Sequence, residues 1–423
     1  MINKIKKVVL SLLMLNSLPA EALCEGRELR IQVARKDHAA SKTNVALVLT
    51  TKNDLLDEIV HVVQRDLAQS GQCIVALQHA PLPHTKQELE AYYATGYQFV
   101  VFLGMSEDGT TIIGRLYDAL DTSMMQGKKW QRREPLFLWA HKISQDLWEQ
   151  LMGNPGSFAS HIAYVKRIKG KTCKQATQLC LTHWDGSNEK VLMRSGSILV
   201  APSWKSDGDV IFCSQFTNRN VRLIATDVAG KSWIVLDRDG TTMGASSLAG
   251  CPDVVYCHSG EIWKCTYDPR NKRSTHTLVV RDGTMCASPT LLIGGDIIYC
   301  AGGRIKRWHA KEGKSSLITE QGYCAGPAYH ASTNRVVYSQ KVGKTMQLCI
   351  KDLRTGVTRQ VTSGEGDKID ASWSPCGTYL AYCLAQGKTS EIFLLNSITS
   401  EQRRISAAGD YCSCPAWSPV LHG

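Results

Sequence analysis

The chain has 423 residues, 43% of them hydrophobic and 21% charged, with a formal net charge of +11. That length holds two or three domains with real cores, and the composition excludes a disordered or low-complexity chain. The basic excess is scattered among carboxylates instead of gathered into runs, which argues against nucleic acid as a partner and leaves an acidic protein or an anionic lipid surface.

At the start, Lys4, Lys6 and Lys7 precede an apolar run from Val8 to Leu18, too short to span a bilayer. This is the layout of a secretory signal, with Ala20 and Ala22 as the small residues before a cut ahead of Leu23. Residues 1–22 therefore read as a leader. The rest reads as an exported chain that does not span a membrane. The residues Leu23, Cys24, Glu25, Gly26 and Arg27 precede a first strand expected at Leu29–Val33 and read as a short free arm.

Residues 23–155 alternate between strand and helix patterns and predict a small α/β domain. The stretch "NDLLDEIVHVVQRDLAQSG" sets Leu55, Leu56, Ile59, Val62, Val63 and Leu67 on one helical face, capped by Asn53 and stopped by Gly71. "CIVAL" reads as a strand, and Thr85 with Glu88 forms a capping box for a second helix through Tyr93. "YQFVVFLG" and "TIIGRLYDAL" read as further strands. "WAHKISQDLWEQLMG" closes the domain as a helix carrying Ile143, Leu147 and Leu151 inward.

Beyond Phe158 helical periodicity gives way to short β-rich runs separated by turn residues. Six anchors recur, Trp204, Leu248, Leu291, Tyr329, Trp373 and Trp417, at intervals of 44, 43, 38, 44 and 44 residues. Each of the first five is followed by a turn and a strand ending in an aromatic, as in "VIF", "IIY" and "LAY". A period near 43 is that of a four-stranded propeller blade. Since the last anchor stands six residues from the end, the strand at "PAWSP" is expected to complete a blade begun by "HIAYVKR" at 161–167, closing the ring. Residues 156–423 thus read as an all-β six-bladed β-propeller.

Sixteen cysteines are present, none of them within the leader. Cys213, Cys257, Cys300 and Cys383 each follow an aromatic in the same strand of successive repeats. Equivalent positions around a ring lie too far apart to bridge, so these four read as small buried hydrophobes. Cys412-x-Cys414 and Cys173-x6-Cys180 lack a second ligand pair at finger spacing.

The stretch "AHKISQDLWEQLMGNPGSFASHIAYV" resembles the domain junction of the TolB family, "LYDALDT" is similar to that family's small domain, and "CPAWSP" to its last blade. The resemblance spans nearly the whole mature chain. It implies a periplasmic, non-enzymatic scaffold of the Tol-Pal system, binding the peptidoglycan-associated lipoprotein Pal through the propeller and TolA through the N-terminal arm. It further implies a role in outer-membrane integrity and in envelope constriction during cell division. Cys376 stands where the family's Trp-Ser-Pro-Asp-Gly turn has Asp.

Catalytic chemistry finds little footing. A propeller-linked serine peptidase needs a Gly-x-Ser-x-Gly elbow, which is absent. The Gly-Lys-Ser/Thr runs at Gly170, Gly230, Gly313, Gly343 and Gly387 lack the earlier glycine of a phosphate loop and read as turns. His141, His183, His258, His309 and His330 are dispersed along the chain, with His141 expected on a helix surface or domain interface. No catalytic residue, cofactor or metal ligand is assigned. A calcium ion held by carbonyls and carboxylates at the propeller axis is left open. The rival class is a secreted propeller hydrolase or small-ligand-binding propeller. The residues entering the first strand of each blade, Ile198, Met243, Met285, Tyr323, Asp367 and Tyr411, are the expected partner-binding face, with their burial as satellite core the alternative.

Overall fold

A computed structural model describes residues 42–168, 176–248, 251–268 and 273–420. The leader, the arm from Leu23 to Arg27, the strand expected at Leu29–Val33, Gly170 and Cys173 lie outside the described residues.

The N-terminal part is built on a five-stranded sheet in the order β2-β1-β3-β4-β5. Its strands are β1 (Thr43–Leu49), β2 (Cys73–His79), β3 (Phe99–Met105), β4 (Thr111–Asp118) and β5 (Met124–Gln131). The central strand β1 pairs in parallel with β2 and β3, which requires the crossover helices, and β3, β4 and β5 run antiparallel. Helix α1 (Asp54–Gln69) starts where expected: the Asn53 side chain accepts from Leu56 N at 3.1 Å. Helix α2 (Lys86–Ala94) is capped by Thr85, which accepts from Glu88 N, while the Glu88 carboxylate accepts from His84 N at 2.9 Å. Helix α3 (Leu136–Met152) ends at Gly153 in the left-handed region, φ 69°. Helices α1 and α3 cover one face of the sheet with Leu56, Ile59, Val63, Ile143 and Leu147, and α2 covers the other with Leu89. Leu55 and Leu151 are only partly buried. Strand β5 was not expected. Its sequence MMQGKKWQ is largely exposed and carries little of the alternation that marks a half-buried strand.

Six four-stranded blades follow. Blade 1 combines β6 (His161–Arg167), β7 (Thr177–His183) and β8 (Lys190–Ser195) with the last strand of the chain, β29 (Cys412–Trp417). Trp417 pairs with Ile162 and Ala416 with Ala163, so the C-terminal strand closes the ring as expected. Blades 2 to 6 are each made of four consecutive strands. Their innermost strands are β9 (Leu199–Trp204), β13 (Thr242–Ser247), β17 (Cys286–Leu291), β21 (Cys324–His330) and β25 (Asp367–Trp373). All six anchors stand at or beside the ends of innermost strands. Trp204 Nε1 donates to Ala416 O at 3.0 Å and Trp373 Nε1 to Ala328 O at 3.1 Å, so these indoles pin each blade to the one before.

Candidate functional site

Each innermost strand is broken by a bulge. At its kink stand Ala201, Gly244, Ser288, Gly326, Asp370 and Cys414, all in the left-handed region with φ between 49° and 60°. Pro202, Pro289, Pro327 and Pro415 follow four of them, at points where the ladder has no need of an N–H. This ring lines a cavity of about 530 Å³. The carboxyl of Asp370 accepts from the Cys414 thiol at 3.4 Å, and burial pushes its pKa up.

At the end of the ring where the innermost strands begin, the six expected contact residues separate into two groups. Met285 is 78% exposed, Tyr323 56% and Met243 36%. They stand on the consecutive blades 4, 5 and 3. Met285 lies over Gly260 of the preceding blade, where an added Cβ would come within 3.3 Å of its Cγ, and Tyr323 lies over Gly303, where a Cβ would meet its ring at 2.8 Å. The glycines in the equivalent turns of blades 5 and 6, Gly343 and Gly387, stand at the first turn position instead of the second and have nothing within 4 Å. Ile198, Asp367 and Tyr411 are half-buried. Asp367 accepts from Met346 N at 2.8 Å, and Tyr411 lies under the Arg167 guanidinium, 4.1 Å from its ring centroid. Met243 and Asp367 lie within their strands, not in the loops before them. Ile198, Met285, Tyr323, Asp367 and Tyr411 each stand just before the first buried residue of their innermost strand and Met243 just after its own, Thr242, so sequence spacing aligns five of the six positions and does not reveal which are already engaged.

Sequence reasoning missed a second cluster, at the meeting of the α/β domain and the propeller. Asp66 of α1 is fully buried and accepts from His141 Nδ1 at 2.7 Å, Ser144 Oγ at 2.7 Å and Trp184 Nε1 at 3.3 Å. Asp185 accepts from Arg65 at 2.8 Å and from Ser187, and Arg403 donates to Asp185 O. Of the two places expected for His141, the domain interface is the one it takes: it is buried there, its ring centroid is 5.1 Å from that of His183, and His183 stands 4.9 Å from His161. These histidines are far apart in sequence yet adjacent in space. Burial together with the neighbouring histidines lowers the pKa of both His161 and His183 to about 4. Ligand atoms of Asp66, His141 and Asp185 come within 4.8 Å of one another. Both carboxylates are already engaged by donors, so the group works as an interdomain hydrogen-bond network. Around it, Trp148, Phe158, Trp184, Tyr379 and Trp417 form a continuous run of ring contacts between the two domains. Gly156 is required in the connecting turn, since a Cβ there would stand 2.9 Å from Gln145 Oε1 and 3.1 Å from Trp148.

Of the Gly-Lys-Ser/Thr runs, Gly230, Gly313, Gly343 and Gly387 sit in turns with positive φ, as read from the sequence. Among the described residues no helix is long and apolar enough to cross a membrane.

No protein-family model matches the chain. It is 26% identical over 196 residues to the Tol-Pal system protein TolB of Blochmanniella floridana, covering 43% of this chain and 41% of that protein. It is 25% identical over 222 residues to the Tol-Pal system protein TolB of Methylococcus capsulatus, covering 50% and 52%. The chain thus aligns with about half the length of these curated relatives. The crystal structure of TolB from Acinetobacter baumannii superposes with a TM-score of 0.76 at 19% identity, over 90% of this chain and 97% of that one. The chain is similar to TolB over the aligned segments and shares the fold of the solved TolB, an N-terminal α/β region followed by a six-bladed propeller.

Proposed function

We propose that this TolB-like chain is a non-enzymatic, periplasmic binding scaffold of the Tol-Pal system. In this reading the propeller end carrying Met243, Met285 and Tyr323 takes a Pal-like lipoprotein, with Ile198, Asp367 and Tyr411 at its margin. The arm Leu23 to Arg27 takes a TolA-like inner-membrane protein. The reading invokes no cofactor. The observation that carries it is the exposed arc of two methionines and a tyrosine on three consecutive blades, in a chain homologous to TolB. These are flexible or amphipathic side chains suited to a protein contact.

The test passes purified mature protein over the immobilised soluble domain of a Pal-like lipoprotein. Saturable retention is expected. Deleting Leu23 to Arg27 is expected to abolish binding to a TolA-like domain while the fold is kept, measured under reduction because Cys24 lies in the arm. Absence of lipoprotein binding, together with turnover of a peptide or glycoside panel, would replace this reading with a propeller hydrolase.

A further inference from the structure

The six blade junctions present one repeated pair of positions. One member lies on the second strand of a blade, opposite the residue just after the start of its innermost strand. These residues are Val165, Ser214, Cys257, Cys300, Ser339 and Cys383, paired respectively with Ser413, Val200, Met243, Ala287, Ala325 and Ile369. The other member is the buried residue at the start of the next blade's innermost strand: Leu199, Thr242, Cys286, Cys324, Lys368 and Cys412.

Read junction by junction, the pairs are Val165/Leu199, Ser214/Thr242, Cys257/Cys286, Cys300/Cys324, Ser339/Lys368 and Cys383/Cys412. Cysteine occupies both members of a junction or neither. A preference for small buried hydrophobes would act on each position separately and would not match them in this way. Cys257, Cys300 and Cys383 do not face one another, as the sequence implied, but each faces a cysteine of the adjoining blade; Cys213 stands one residue out of register with them and donates instead to Val200 O of its own blade at 3.3 Å.

The contacts follow the pairing. Cys257 Sγ donates to Cys286 O at 2.8 Å, Cys300 Sγ to Cys324 O at 3.3 Å and Cys383 Sγ to Cys412 O at 3.6 Å. A sulfur lying against its partner's own carbonyl is close to that partner's Cα and Cβ, so side-chain rotation is the main movement needed to bring the two sulfurs together.

We propose that Cys257–Cys286, Cys300–Cys324 and Cys383–Cys412 are three inter-blade disulfide sites that close when the chain folds in an oxidising compartment. In each, one S–S bond forms while the pair gives up two protons and two electrons. A disulfide oxidant such as glutathione disulfide accepts them and becomes two thiols. Closure belongs to folding: burial raises the pKa of Cys383 to about 11 and that of Cys286 to about 12, so the attacking thiolate is scarce once the blades have packed. The third bridge would hold β29, the ring-closing strand, to blade 6 across the face where the two blades pack.

The inference does not depend on which partner the propeller binds. The test unfolds the mature protein under reduction and refolds it in a glutathione redox buffer. It is then denatured without reductant, treated with N-ethylmaleimide, and its linked peptides are mapped by mass spectrometry. The expected result is that the six cysteines escape alkylation and appear as these three linked pairs, and that the oxidised protein melts above the reduced one. In Cys383→Ala/Cys412→Ala the other two links should persist while part of the melting shift is lost. Full alkylation of the six would overturn the proposal. So would links to the nearby Cys349 or Cys180 in place of Cys300 or Cys383, since Cys324 packs with Cys349 and Cys412 with Cys180 in shared apolar clusters.

Discussion

At the domain junction, Asp66 receives three side-chain hydrogen bonds inside a fully buried shell, Arg65 binds the Asp185 carboxylate across the boundary, and Arg403 of blade 6 holds the Asp185 carbonyl from within the propeller. At the strand entries of blades 3 to 5, Met243, Met285 and Tyr323 leave much of their apolar surface to solvent. Groups of the first kind fix how one element sits on another, because moving them strands polar atoms away from water. Groups of the second kind add little to the folded state and are free to gain by contact with a partner. The same sequence thus supports a rigid seam between its domains and an uncommitted face at one propeller end.

The largest effect should come from breaking the seam. Asp66→Ala leaves His141 Nδ1 and Trp184 Nε1 buried without their acceptor, Ser144 Oγ keeping only Ala140 O, and a loss of about 3–5 kcal/mol in folding stability is expected. Chemical denaturation measures it. A loss under about 1 kcal/mol would mean that the seam tolerates rearrangement and that the contrast with the end face is weaker than the geometry suggests.

The seam should also be sensitive to acid. His161 and His183 titrate near 4 in the folded chain, below the ordinary 6.5, so the unfolded chain binds protons first as pH falls. Their contribution is fully present above pH 6.5 and is lost between about 6.5 and 4. For His161 that loss reaches up to about 2 kcal/mol near pH 5, before solvent screening. Melting temperature should therefore fall through this window. His161→Gln, which cannot charge, should flatten the fall, and an unchanged profile would remove histidine desolvation as its cause.

The end face should behave in the opposite way. Met243→Asp or Tyr323→Asp is expected to weaken lipoprotein binding by more than about 1 kcal/mol while the melting temperature stays nearly constant. A large melting shift with binding retained would make these residues satellite core.

The two regions were unequally legible in the sequence. Repeat spacing locates all six innermost strands because each blade reuses one pattern, and Asn53 and Thr85 mark two helix starts by local capping. Strand β5 escapes because an exposed edge strand needs no apolar alternation. The Asp66 network is invisible in sequence since its members, Asp66, His141 and Trp184, are separated by 75 and 118 positions from Asp66 and carry no spacing rule. The division of the end face is hidden for another reason. Tyr323 and Tyr411 are the same residue at equivalent positions, and only the Arg167 side chain brought over Tyr411 by strand pairing makes one committed and the other open.

The smallest effect tests whether the exposed arc is held in place from below. Gly303 and Gly343 belong to equivalent two-residue hairpin turns of blades 4 and 5, at the second and the first turn position respectively, with φ of 70° and 60°. An alanine at either should cost about 1 kcal/mol of stability, because the left-handed region disfavours a Cβ. Only at Gly303 would that Cβ also meet the Tyr323 ring, at 2.8 Å, whereas at Gly343 it meets nothing within 4 Å. Gly303→Ala must therefore push Tyr323 aside, and Gly343→Ala need not move any side chain. Matched melting shifts, with lipoprotein affinity reduced about twofold to fivefold in Gly303→Ala alone, are expected from calorimetry of the two variants side by side. Equal affinities would show that Tyr323 binds as a loose side chain whose resting position is immaterial. The contrast between a built seam and an open face would then extend to the face's own supports.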